Sequence, residues 1–337
     1  MNKFVELPVV EPLYQTYNNC IVSACIQENL SIRDWLLTNA VVLTCNRKFL
    51  TGFTTPEVDV ENYSFDNPFL ETRWIPMKFL KGYINPVIRN FIDEGYFIYF
   101  TGVDDYYVQG KSWYKERHFP HNGTICGYNQ IDKTYCIYAY DSNWIVQKFW
   151  TPQKCFNKGR EAFLKKGRPG FICAVKPRPE QAEFSVKTSL EGIMDYLDSD
   201  INKYPETGEG DIRGIVVHEY LAKYIDKLLD ESIPYNRMDR RVFRFVWEHK
   251  KVMLERIEKI EQILKLGNEI SEKYQSLVSD ADAMRMLYAS HHMRRRDSLL
   301  PIIKKKLLNL MEQERDLLTL LVDRAGKKFA NETVEIY

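Results

Sequence analysis

Apolar positions in the second half of the chain recur at alternating steps of four and three. Met253, Ile257, Ile260 and Leu264 form one series, and Ile270, Tyr274, Leu277, Ala281 and Met284 a second. Leu299, Ile303, Leu307, Leu310, Leu317 and Leu321 form a third, with polar Glu314 at one intervening position. That spacing puts each series on one helix face. Gly267 and Pro301 punctuate the run. A helical bundle, or a pair of long antiparallel helices, is expected from about residue 185 onward. Residues 204–214, YPETGEGDIRG, read as a loop inside it.

The first half alternates differently. Residues 20 to about 38 read as a helix with Ile21, Cys25, Ile26 and Leu30 near one side. Residues 77–94 read as another, interrupted at Pro86 and stopped by Gly95. YFIYFTGV at 96–103 is aromatic and β-branched, hence a strand. Further strands are expected at 123–128, 135–140, 144–150 and 171–177. NQIDK and Asp141-Ser142-Asn143 supply hairpin turns between them. Helix first and antiparallel sheet later give an α+β domain over residues 1–180, followed by a helical domain over 181–337.

Composition removes several function classes. The chain has 337 residues, enough for two domains, with 45% hydrophobic and 28% charged residues. A net charge of +1 and the lack of a basic tail give no sign of nucleic-acid binding. No apolar run approaches the roughly 18 residues that span a bilayer, and the N-terminus lacks the apolar core of a signal peptide. A cytoplasmic protein is expected. Seven cysteines at loose spacing argue for reduced thiols, and with no CxxC pair a zinc site has no support.

Cys20 begins an amphipathic stretch, where free N–H groups and the helix dipole favour a thiolate. His121 opens the strand HNGTICGYN and is a candidate base; His118, three residues earlier, competes for that role. Asp141 ends the next strand, where pairing would bring its carboxylate to the His121 ring as orienting group. The same Asp-Ser-Asn is also good turn chemistry. Oxyanion donors are the Cys20 backbone N–H and the side-chain amides of Gln15 or Asn19. Asp104 and Asp105 are candidates for holding an amine substrate as its ammonium, and Tyr106, Tyr107 and Trp113 for lining an apolar pocket. His291-His292, Arg294–Arg296 and Lys304–Lys306 make the C-terminal part locally basic. That is either a docking surface for an acidic partner or a solvated helix face.

The order Cys, His, Asp, with the last two on consecutive strands, resembles the papain-like fold. IDEGYFIYFTGVDDYYV, YKERHFPHNGTICGYN and CIYAYDSNWIVQKFWTPQKCF are similar to segments of bacteriocin-leader peptidases and of the butirosin biosynthesis protein H N-terminal family. MDRRVFRFVWEHKKVMLERI resembles the Arg-rich start and His-Lys-Lys element in the helical second half of similar proteins. The chain departs from the pattern at Asn122 and Asn129, where aspartates are expected. The resemblance covers most of the chain. It implies an acyltransferase of natural-product biosynthesis, found with nonribosomal peptide clusters. Such an enzyme moves an acyl group from the phosphopantetheine thioester of an acyl or peptidyl carrier protein to an amine or diamine, with no cofactor of its own. A cysteine peptidase or thioesterase with water as acceptor, and a noncatalytic binding protein on the same fold, are the alternatives.

Overall fold

The computed structural model describes residues 3–16, 19–26, 29–51, 55–63, 65, 67–143, 145–180, 182–199 and 210–334. The chain divides into two compact units, Met1–Arg33 with Tyr63–Ala182, and Asp34–Asn62 with Glu183–Tyr337.

The first unit is built on one antiparallel sheet. Its strands are β1 (Phe4–Glu6), β4 (Leu70–Pro76), β5 (Phe97–Asp104), β6 (Pro120–Asn129), β7 (Thr134–Tyr140), β8 (Val146–Pro152) and β9 (Phe171–Pro177). The order is β4-β9-β5-β6-β7-β8, with β1 added along β6. Helix α1 (Asn19–Ile26) packs on β5, β6 and β9. Helix α4 (Ile84–Asp93) buries Ile84, Ile88 and Ile92, at a period of four, in a core with Ile98, Phe100, Ile125, Ile137 and Phe156. Phe156 belongs to α5 (Gln153–Leu164), a helix absent from the sequence-based reading. The expected strands at 96–103, 123–128, 135–140, 144–150 and 171–177 correspond to β5 to β9.

The expected helix at 20–38 is two helices, α1 and α2 (Leu30–Asn39). The expected break at Pro86 is instead a start. Pro86 stands in the first turn of α4, where its missing N–H is no loss, and a short 3-10 turn, Met77–Leu80, precedes it. Gly95 does end the helix, at φ +84°.

The second unit is mostly helical. Besides α2 it holds α3 (Lys48–Thr51), α6 (Val186–Leu197), α7 (Val217–Leu229), α8 (Val242–Leu264), α9 (Glu269–Arg294) and α10 (Leu300–Val334). Helix α9 packs on α8 and α10, and α10 also on α6 and α7. All residues of the first two apolar series are buried. In the third series Leu318, rather than Leu317, completes the buried face. A small sheet, β10-β2-β3, joins Asp211–Arg213 to Leu43–Asn46 and Val58–Val60. The expected loop at 204–214 therefore ends in a strand; its first six residues lie outside the described part.

Residues 34–62, inside the expected first domain, cluster with the second unit. The cause is visible in α8. Arg256 donates from Nε to the Leu37 carbonyl (2.7 Å) and from Nη2 to the Ala40 carbonyl (2.8 Å), satisfying carbonyls at the end of α2. His249 Nε2 lies 2.9 Å from the Val41 carbonyl. All these partners are buried.

Candidate functional site

Cys20 is the second residue of α1, the position the sequence suggests for an activated thiol. Its side chain and that of Asn19 lie outside the described residues. Of the other cysteines, Cys25, Cys45, Cys126, Cys136 and Cys173 are buried and Cys155 is half-buried. Burial pushes the thiols of Cys25 and Cys45 far up and that of Cys173 to about 12. Such thiols remain protonated and inert at neutral pH.

β5 carries the residues that meet the histidines. Its ladder with β6 shifts between Phe100 and Val103, a bulge made possible by Gly102 at φ +69°. A Cβ there would stand 2.3 Å from the Phe163 ring. Past the bulge the strand ends at Asp104, and a 3-10 turn, Asp105–Tyr107, follows. Asp104 Oδ1 accepts from the N–H groups of Tyr106 (3.3 Å) and Phe119 (3.1 Å), which fixes the turn.

Two His–Asp pairs result. His118 Nδ1 lies 2.9 Å from Asp104 Oδ2, with its ring stacked on Tyr106 at 4.3 Å; its side chain is 52% exposed. His121 Nδ1 lies 3.2 Å from Asp105 Oδ2, and its side chain is 15% exposed. Tyr140 stacks on the His121 ring (6.3 Å, 13° between planes) and Phe119 meets it edge-on. The Tyr140 hydroxyl donates to the Gln15 carbonyl at 3.1 Å. His121 is thereby tied, through Tyr140, to the segment that leads into α1.

Lys111 completes the cluster and was not foreseen. Its buried ammonium lies 3.4 Å from Asp105 Oδ1 and 3.3 Å from His121 Nδ1, and donates to the Asn122 carbonyl at 2.8 Å. Burial pulls its pKa down, against the pull of Asp105 upward. Asp105 thus balances a buried cation and holds the imidazole at once. With Nδ1–H donating to Asp105, Nε2 is the basic nitrogen.

Asp141 does not take the expected place. Thr124 pairs with Tyr138 and Ile125 with Ile137, and continuing that ladder would set His121 opposite Asp141. Instead Asp141 bridges Lys111, while His121 pairs with Val103 on β5. The Asp141 carboxylate accepts from the N–H groups of Asn143 (2.8 Å) and Ile145 (2.9 Å), and from Gln147 Nε2. Although desolvation opposes it, these bonds hold its pKa below the usual carboxylate range. Its turn chemistry prevails.

Asp104 and Asp105 are buried and already paired, which removes them as receptors for a substrate ammonium. The Gln15 amide donates to Glu11 Oε1 at 2.6 Å. Tyr106 and Tyr107 are half-buried and line a cleft with Tyr114, Lys115, Lys154, Cys155 and Lys158, so its wall is part cationic, and Trp113 does not line it. In the basic C-terminal stretch, Lys304 pairs with Asp226 (2.7 Å) and Lys306 with Asp280 (3.0 Å), and Arg295 lies over the Tyr235 ring at 4.4 Å. Among the described residues no cluster of three or more His, Cys, Asp or Glu is placed to hold a metal, and no helix is long and apolar enough to cross a membrane.

Compared with known proteins, the sequence matches no family model and no curated protein.

Proposed function

We propose that the first unit is a papain-like, cysteine-dependent acyltransferase in which Cys20 receives an acyl group from a carrier-bound thioester and passes it to an amine. One observation carries the reading. The His121 ring is held at Nδ1 by buried Asp105 and stacked on Tyr140, which bonds the chain leading to the helix that begins with Asn19 and Cys20.

In this reading Nε2 of His121 takes the Cys20 thiol proton. The thiolate adds to the thioester carbonyl carbon, and the developing oxyanion is met by the backbone N–H at the start of α1. The bond to the donor sulfur breaks, and that thiol leaves with the proton from His121. The amine then attacks the Cys20 thioester. A C–N bond forms, the C–S bond to Cys20 breaks, and the amine proton returns through His121 to the thiol. The donor is already activated, so no ATP is consumed. Asp105 positions the imidazole and stabilises its cation, the part that sequence order assigns to Asp141.

The test is intact-mass measurement after exposure to an acyl N-acetylcysteamine thioester, with and without a diamine. The expected result is an acyl adduct that Cys20→Ala abolishes, and an amide product when the diamine is present. Hydrolysis alone assigns water as acceptor, as in a peptidase or thioesterase. Absence of any adduct, with no effect of Cys20→Ala, leaves a noncatalytic binding protein and refutes the proposal.

A further inference from the structure

The basic stretch that begins at His291 borders a cavity of about 320 Å³ within the second unit. The cavity lies where α7 and α9 end: Leu228 and Leu229 close α7, and His291 stands in the last turn of α9. Buried Leu228, Ile233 and Met238 give it an apolar floor. Its size falls at the lower end of the range of about 300–1,000 Å³ found for small-molecule pockets.

His291 is the informative part of the wall. It is 2% exposed, and its Nδ1 is buried without a hydrogen bond. That nitrogen faces Asp297 Oδ1 at 3.5 Å, and the exposed Asp297 lines the same cavity. A buried polar atom left without a bond is rare in a folded chain and calls for a partner. An imidazole nitrogen and a carboxylate oxygen at this separation suit one ammonium that donates to both. Glu231 brings a second carboxylate to the wall and has no cationic partner among the described residues.

The cavity also holds a cation. The Arg295 guanidinium lies over the Tyr235 ring at 4.4 Å, and the Tyr235 hydroxyl donates to the His292 carbonyl. Stacking fixes the guanidinium, yet among the described residues no carboxylate meets it. An acid alone would meet Glu231 and Asp297 here, and an amine alone would meet Arg295. A molecule that carries both charges and an apolar tail satisfies the whole lining.

We infer that this cavity binds a free α-amino acid with an aliphatic side chain. Its ammonium sits between His291 Nδ1 and Asp297, its carboxylate on Arg295, and its side chain on Leu228, Ile233 and Met238. The site needs neither Cys20 nor a thioester, so it stands or falls independently of the acyl-transfer reading.

The experiment is calorimetric titration of the full chain with L-leucine and three relatives that each lack one feature. L-Leucinamide lacks the carboxylate, N-acetyl-L-leucine the ammonium, and glycine the side chain. L-Leucine is expected to bind, and each relative to bind about tenfold or more weakly. Arg295→Gln should weaken L-leucine about tenfold and leave L-leucinamide unchanged, and Asp297→Asn should weaken L-leucine but not N-acetyl-L-leucine. Both residues are exposed, so the fold survives both changes. Arg294→Gln, outside the lining, should alter none of these affinities. No binding of L-leucine up to about 10 mM overturns the inference. So does equal binding of L-leucinamide or N-acetyl-L-leucine, which makes the site one for an amine or an acid alone. L-Leucine binding that Arg295→Gln and Asp297→Asn leave intact lies elsewhere on the chain and overturns it too.

Discussion

Glu314 interrupts an otherwise apolar helix face and is fully buried in the second unit. Its Oε2 accepts from Lys250 Nζ (2.5 Å) and the Tyr196 hydroxyl (2.8 Å), its Oε1 from the Tyr274 hydroxyl, and His218 Nε2 lies 3.9 Å away. Burial would raise its pKa, but Lys250, with lesser help from His218 and His249, holds it down to about 2. Replacing Glu314 with Gln keeps the shape and removes the charge. The amide NH2 takes the place of one of the two acceptor oxygens, and Lys250 is left buried without a counter-ion. Breaking such a pair costs about 3–5 kcal/mol. An independent bound comes from neutralising Lys250. Starting from an ordinary value of about 10.4, that costs about 4.6 kcal/mol near pH 7 at about 1.36 kcal/mol per pKa unit. The two figures agree. They also fix a sign. With Lys250 neutral in the fold and protonated when unfolded, the unfolded chain binds one more proton. Stability of Glu314→Gln should therefore rise by about 1.4 kcal/mol per pH unit between about pH 7 and about pH 10. Urea unfolding followed by far-ultraviolet circular dichroism measures both effects. The double change K250M/E314L should regain only part of the loss, since it removes the unpaired charge but takes their Glu314 acceptor from the buried Tyr196 and Tyr274 hydroxyls. A single variant within about 1 kcal/mol of the parent, with no added slope above neutral pH, would refute this account.

Acid should weaken the same unit in two stages. His218 is held neutral, pushed down to about 3 by burial and then by Lys250. Buried His249 is likewise pushed well down by burial and then by Lys250. The unfolded chain therefore binds two extra protons, and stability falls by about 2.7 kcal/mol per pH unit below about 6.5. His218→Gln should halve that slope in urea titrations, His249 keeping the other half. Glu314, whose folded value is depressed to about 2, adds a further loss from about 4.5 downward. In the first unit, Gly102→Ala forces a left-handed alanine against Phe163. It should cost about 2–4 kcal/mol in thermal or urea unfolding, and an unchanged midpoint would disprove the role given to the bulge. Asp105→Asn should lower the kcat/KM of acyl transfer about 10³–10⁴-fold and destabilise the fold by leaving Lys111 unpaired. Adding Lys111→Met should restore stability but not rate. Recovery of both would reduce Asp105 to a structural role.

The helices of the second half and five strands of the first were legible in the sequence because they depend on local periodicity. Side chains three and four apart share a helix face whatever the rest of the chain does, and Gly95 and Gly267 mark stops through backbone freedom alone. Glu314 stood out as a polar break in an apolar face, although nothing local says that Lys250 and two tyrosines meet it. The edge strand β4 was missed because its burial pattern is weak, and α5 because it begins right after a strand at Pro152.

By itself, then, the sequence determined the α+β character of the first part, the helical second part, a cysteine at a helix start and a histidine at a strand start. Only the tertiary structure decided which carboxylate serves that histidine. Ladder arithmetic favours Asp141, but the bulge at Gly102 and the bridge between Lys111 and Asp141 shift the partner to Asp105. Tertiary contacts likewise drew residues 34–62 into the second unit, because Arg256 and His249, some 200 positions away, satisfy their carbonyls. Periodicity is a property of neighbours in sequence. Register, and the partners of buried charges, are set by groups that meet only when the chain has folded.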